Sequence, residues 1–194
     1  MFILSEDFAL KEHLKGMAVS DGNSSHRNVG VWFRQPDREI TDQTYPYCIL
    51  DLIDISPARE RMHSDNPVHL FYRDSPVPLQ EGEDILWDRP TPVNLDYQVT
   101  AYARNPLHDR QITPQLLKRL PMRGGLLNVV HDNGAVTGRR LDFLDLMKRD
   151  RIEDLKRLFM TVITVRVSSE IESDRYKILA APPTSVALGM PQDP

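Results

Sequence analysis

The chain has 194 residues, 40% of them hydrophobic, with a net charge of −4 and a pI of about 5.9. That length suits one domain with a sizeable core, and that charge excludes a general electrostatic attraction to nucleic acid. Prolines outnumber glycines 15 to 9, which points to stiff, extended connections. The single cysteine, Cys48, rules out an intramolecular disulfide and fits a reducing compartment. "MFILSEDFALKEHLK" has no basic start and its apolar run stops at Leu4, so no signal peptide is expected. No apolar window of ~18 residues is present, so no membrane-spanning helix is expected.

In chain order, residues 5 to 16 read as an amphipathic helix. Ser5 is its candidate N-cap, Glu6 and Asp7 suit the first turn, and Gly16 is the stop. "SDGNSSHRN" (20–28) reads as a polar loop, "VGVWF" (29–33) as a short strand and "QPDREITDQT" (35–44) as a turn-rich connection. "YPYCILDLIDIS" (45–56) is apolar on both faces around 47 to 53, the mark of a central strand. "NPVHLFYR" offers one more strand. "DSPVPLQEGEDILWDRPTP" is acidic and proline-rich, which predicts a long extended excursion without regular structure.

Residues 93 to 104 alternate most cleanly. Val93, Leu95, Tyr97, Val99, Ala101 and Ala103 are apolar, and Asn94, Asp96, Gln98 and Thr100 fall between them. This is a long strand with one dry face and one polar face. "QITPQLLKRLP" reads as a helix capped by Thr113, with Pro114 at its first position and Ile112 and Leu117 as a staple. "GGLLNVVHDNGAVTGRR" carries the clearest hairpin signal, Asn133-Gly134. Residues 144 to 157 fit a helix or an exposed connection. "LFMTVITVRVSSEI" (158–171) is a second long strand, with Phe159, Ile163, Val165 and Val167 on one face. The tail, 181–194, is proline-rich and aperiodic, an extended or disordered arm.

The residues supply no catalytic constellation. The six histidines include no i, i+4 pair on a helix and no accompanying cysteine cluster. Asp51 and Asp54, three apart on a strand, are expected on opposite faces, one partnered and one at the strand end. Cys48, inside an apolar strand, reads as a buried structural thiol. Gly124-Gly125 follows a helix and lacks the lysine of a phosphate loop. Arg139-Arg140 and Lys148, Arg149 and Arg151 read as solvated faces partly neutralised by neighbouring acids. No enzyme activity and no cofactor are expected, and neither a metal nor a catalytic residue is assigned.

The stretch "PVNLDYQVTAYARNPLHDRQITPQLLKRLPMRGGLLNVV" places a proline before a long alternating strand ending in Tyr-Ala-Arg. A polar turn follows, then a helix ending in Leu-Pro, then a small strand. It resembles the tail-terminator proteins of tailed bacteriophages and the related cap proteins of contractile injection systems. The upstream "YPYCILDLIDISPARERMHSD" is similar to the strand and arginine-containing loop found there. The resemblance covers roughly residues 5 to 170. It implies an α+β subunit with a mixed, mainly antiparallel sheet, flanked by two or three helices and carrying extended Pro-rich arms. It further implies a hexameric ring on the end of the tail tube, which stops polymerisation and joins the tail to the neck or head. Implied partners are further copies of the chain, the tube protein, a sheath protein and neck or connector proteins, without a membrane. DNA enters only as a passenger through the lumen. The implied location is the tail or neck of a virion, made in the host cytoplasm.

One domain is expected over 1–180, with 57–92 as a long loop excursion and 181–194 as the arm. Candidate interface residues are Ile85, Leu86 and Trp87 in the acidic segment, Arg139 and Arg140 after the hairpin, and Val186 and Leu188 in the tail. Three rivals stand beside the ring reading. One is another neck, connector or tail-completion subunit. The second is a metal-dependent hydrolase using His63, His69 and Asp65. The third is a host-binding module built on 57–92.

Overall fold

The computed structural model describes residues 3–21, 25–34, 44–62, 68–70, 84–87, 90–131, 134–153, 156–171 and 176–179. The elements are α1 (Leu4–Leu14), β1 (Ala18–Ser20), β2 (His26–Asn28), β3 (Gly30–Phe33), β4 (Tyr47–Pro57), β5 (Val68–Leu70), β6 (Asp84–Trp87) and β7 (Thr91–Ala103). They continue with α2 (Pro106–Arg119), β8 (Gly125–Val130), β9 (Val136–Glu153), β10 (Lys156–Ile171) and β11 (Tyr176–Leu179). The chain divides into two compact units. One comprises Met1–Arg59 and Pro92–Ser169, the other Glu60–Thr91 and Glu170–Pro194.

The first unit is α+β. Its six-stranded sheet has the order β3-β4-β7-β10-β9-β8. The sheet is mixed, because β3 runs parallel to β4 while β4/β7, β9/β10 and β8/β9 are antiparallel. Leu10 and Leu14 of α1 and Ile112 and Leu116 of α2 share one buried cluster with Leu95, Tyr97, Val99 and Ala101 of β7. Ile163, Val165 and Val167 of β10 and Leu127 and Val129 of β8 complete it. The odd-numbered face of β7 thus packs on the helices, as its alternation predicts. In the second unit, β6 lies between β11 and β5, pairing antiparallel with both. The 73–92 stretch, expected to be extended without regular structure, therefore contributes a central strand.

Several local expectations are corrected. α2 begins at Pro106, not at Pro114. Asn105 Oδ1 accepts the Leu107 amide at 2.9 Å, and Pro106 takes the first turn, where its missing N–H is no loss. Pro114 lies inside the helix, and Thr113 Oγ1 donates to the Asp109 carbonyl at 2.9 Å instead of capping. Ile112 is a core residue of the helix rather than a staple ahead of it. Ser5 lies within α1 and is buried; Ile3, at φ 71°, precedes the helix without a side-chain cap. The "polar loop" at 20–28 contains β2, which pairs antiparallel with β1. The ambiguous 144–157 stretch belongs to the β9–β10 hairpin, paired from Lys156↔Glu153 to Val167↔Leu141.

Two β-bulges reset which side chains share a face. Leu52 pairs with Tyr97 and Asp54 with Asp96, leaving Ile53 unpaired. Asp51 opposes Gln98 and Asp54 opposes Asp96, so both aspartates lie on one face, the one away from the helices. This corrects the two-face expectation, since a separation of three across a bulge behaves as a separation of two. Asp51 is the partnered one, with Arg34 Nη1 donating to it at 2.7 Å. In β9 the second bulge leaves Leu144 unpaired, between Val165↔Phe143 and Thr164↔Asp145.

Candidate assembly surface

The even-numbered face of β7 is not an open polar surface. Asn94, Asp96 and Thr100 are buried. Asp96 accepts two bonds from Arg166 of β10, from Nε at 2.7 Å and Nη2 at 2.8 Å. A bidentate guanidinium–carboxylate pair fixes orientation as well as charge, so it registers β10 beside β7. On the same face Tyr47 and Tyr102 stack with centroids 5.1 Å apart, and Arg104 lies over Tyr45.

The helix-side face is fastened by a second polar cluster. Lys148 of β9 donates to both Asp109 oxygens at 2.6 Å, to Thr113 Oγ1 at 3.0 Å and to Thr161 Oγ1 at 2.7 Å. This ties the β9–β10 hairpin to the first turns of α2. A third cluster lies under α1. Tyr97 donates its hydroxyl to Asp7 at 2.7 Å, and Ser169 donates to buried Glu6. Burial pushes the Asp7 carboxyl above its usual range, partly offset by the Tyr97 hydrogen bond and reinforced by the charge of Glu6. Burial and the neighbouring carboxylates raise the Tyr97 hydroxyl strongly, so it stays protonated and donates. Cys48 is fully buried, and its thiol is pushed up to about 12 by burial, as befits an inert core thiol.

Two stretches of strand edge stay open among the described residues. β8 covers β9 only along Val136–Leu141, and β3 covers β4 only along Tyr47–Leu50. Leu141 is the hand-over point, opposing both Gly125 of β8 and Val167 of β10. A Cβ at Gly125 would meet the Leu141 carbonyl oxygen at 2.8 Å, so only glycine fits this crossing. Beyond these short flanking strands, residues 142–153 of β9 and 51–57 of β4 have no further strand beside them among the described residues.

The sequence-nominated residues fall in different places. Ile85, Leu86 and Trp87 form β6 of the second unit, opposite Ile178, Lys177 and Tyr176 of β11. Arg139 and Arg140 lie on β9 opposite Leu127 and Leu126, with Arg140 Nε 2.8 Å from Asp142. Val186 and Leu188 lie outside the described residues, as do His63 and Asp65 and the side chain of His69. Among the described residues no group of three His, Cys, Asp or Glu side chains is placed to hold a metal ion. No described helix is long and apolar enough to cross a membrane. The uncovered edges escaped the sequence reading, because they depend on the lengths of neighbouring strands.

No protein-family model matches the chain, and no curated protein matches it in sequence. Among solved structures the chain matches the PVC sheath/tube terminator of an extracellular contractile injection system, determined in its extended state. The fold is similar to that of a sheath/tube terminator. The match covers 100% of this chain and 65% of the terminator chain, with a TM-score of 0.50 and 16% identity. The chain thus spans slightly less than two thirds of the terminator's length, and at that identity the likeness is one of fold.

Proposed function

We propose that the chain is a structural subunit that ends a tail tube. Copies of it form a closed ring, most simply a hexamer of 22.3 kDa subunits, that sits on the last tube layer. The ring blocks further addition of tube protein, contacts the sheath where one is present, and offers its far side to neck or connector proteins. No chemical step is required of it, and none is assigned. The observation that carries this reading is the match of the whole chain to a sheath/tube terminator fold.

The physical features fit. A ring subunit needs two different surfaces that meet head to tail, and the six-stranded sheet ends in two different edges. Two of its described ion pairs, Asp96–Arg166 and Asp109–Lys148, register neighbouring elements of the fold. The test is to polymerise the cognate tube protein with and without the purified chain. Tubes of limited length carrying the chain at one end support the reading; tubes whose length ignores it, or that carry it along their sides, refute it.

A further inference from the structure

The two edge segments that no described strand covers, 51–57 of β4 and 142–153 of β9, carry side chains of complementary kind. On β4, Ile53 and Ile55 are 49% and 46% exposed, and Asp54 is exposed, with no ion pair to another described residue. On β9, Leu144 and Met147 are exposed apolar residues, and Arg149 and Arg151 are exposed cations without a carboxylate partner among the described residues. Of the other described charges along these edges, Asp51 is engaged by Arg34, Asp142 by Arg140, Lys148 by Asp109 and Asp150 by Arg157, while exposed Asp145 accepts only the Leu146 amide.

The registers decide which face these charges occupy. Met147 opposes Val162, and Arg149 opposes Met160. Thr161, opposite Lys148, bonds to α2 and so lies on the helix side. Alternation then places Met147, Arg149 and Arg151 on the helix-free face. Asp54, opposite Asp96, lies on the same face. If the sheet of one copy continues into the next with the helices on one side, Asp54 of β4 and Arg149 and Arg151 of β9 meet on a common face. The exposed bulge residues Ile53 and Leu144 lie on the facing edges.

We infer that neighbouring copies join edge to edge, residues 51–57 of β4 in one copy lying beside residues 142–153 of β9 in the next. Asp54 pairs there with Arg149 and Arg151. The contact is heterologous, so it propagates in one direction rather than stopping at a dimer, and it forms a ring when the rotation between copies closes. It also covers the open strand edges, which are otherwise templates for unregulated aggregation. Arg149 and Arg151, read from sequence as a solvated face, become the specificity charges of the contact.

This inference rests on the ring reading, and the experiment separates the two. The full chain is studied by native mass spectrometry and sedimentation velocity from micromolar to millimolar concentration. It is compared with Asp54→Lys, with Arg149→Asp/Arg151→Asp, and with all three substitutions combined. Each variant is first checked for native far-UV circular dichroism, since all three residues are exposed. Wild type is expected to form a closed oligomer. Each charge-reversed variant should weaken assembly by roughly tenfold or more, and the combined variant should recover it. Oligomers that ignore both reversals, or that the combined variant fails to restore, overturn the edge contact and leave the ring standing. A wild-type chain that stays monomeric at every concentration overturns both, because each copy carries both edges.

Discussion

Val99 sits at the centre of the sheet, fully buried in β7 opposite buried Leu50. Val99→Ala removes two carbon atoms. At about 0.8 kcal/mol each, plus the cavity they leave, the loss comes to about 2–3 kcal/mol. For a chain of this size that lowers Tm by about 5–10 °C. Val99→Asp does more, since it sets a carboxylate against the aliphatic cluster with no partner, and about 4 kcal/mol or more is expected. Gln98, the next residue, is half-buried on the other face and donates at 3.2 Å to Thr100 Oγ1. Gln98→Ala is expected to lose under about 1 kcal/mol. Urea unfolding followed by far-UV circular dichroism and by tryptophan fluorescence measures all three, and coincidence of the two probes checks the two-state assumption that two compact units call into question. Equal losses for the Val99 and Gln98 variants would refute the assigned facing of β7.

Asp7→Asn keeps an acceptor for the Tyr97 hydroxyl and removes the charge that burial opposes. Because the folded carboxyl titrates above its unfolded value, protonated Asp7 favours the fold, and that contribution is lost as pH rises through the folded pKa. The variant should therefore exceed the parent in stability at pH 7 and converge on it in acid; an advantage independent of pH contradicts this. Cys48 should not react with a thiol reagent at pH 8 in the native chain and should give one equivalent in urea. Rapid native labelling would mean that β4 opens. Gly125→Ala pushes a methyl against the Leu141 carbonyl and should cost about 1–3 kcal/mol by urea unfolding. An unchanged midpoint would show that the β8–β9 crossing is looser than described.

The alternation of 93–104 was legible because a strand buried against helices on one face leaves a period of two in its apolar residues. The β8–β9 hairpin was legible through Asn133-Gly134, and Gly134 takes φ 79° in that turn. The start of α2 was not, because its first turns, "PLHDRQ", are polar. Yet they bury His108, whose Nε2 lies 2.6 Å from Asp21, and that tertiary contact has no local signal. β9 was obscured for a related reason. Its 142–153 half mixes charged and apolar residues on both faces, so no period survives, and only pairing with β10 makes it a strand. Strand β2, three exposed polar residues, is likewise defined by its partner alone. The two bulges moved Asp54 and shifted the phase of β9, changes that counting by twos does not anticipate. The candidate surface followed the same rule: Arg149 and Arg151 were visible as charges, but the edge they flank is a property of how far β8 extends.

The most direct measurement is a cryo-EM map of the tail or injection particle containing this chain. The expected result is a closed ring of copies, most simply six, at one end of the tube. Isolated copies, or density for the chain along the shaft rather than at its end, would contradict it.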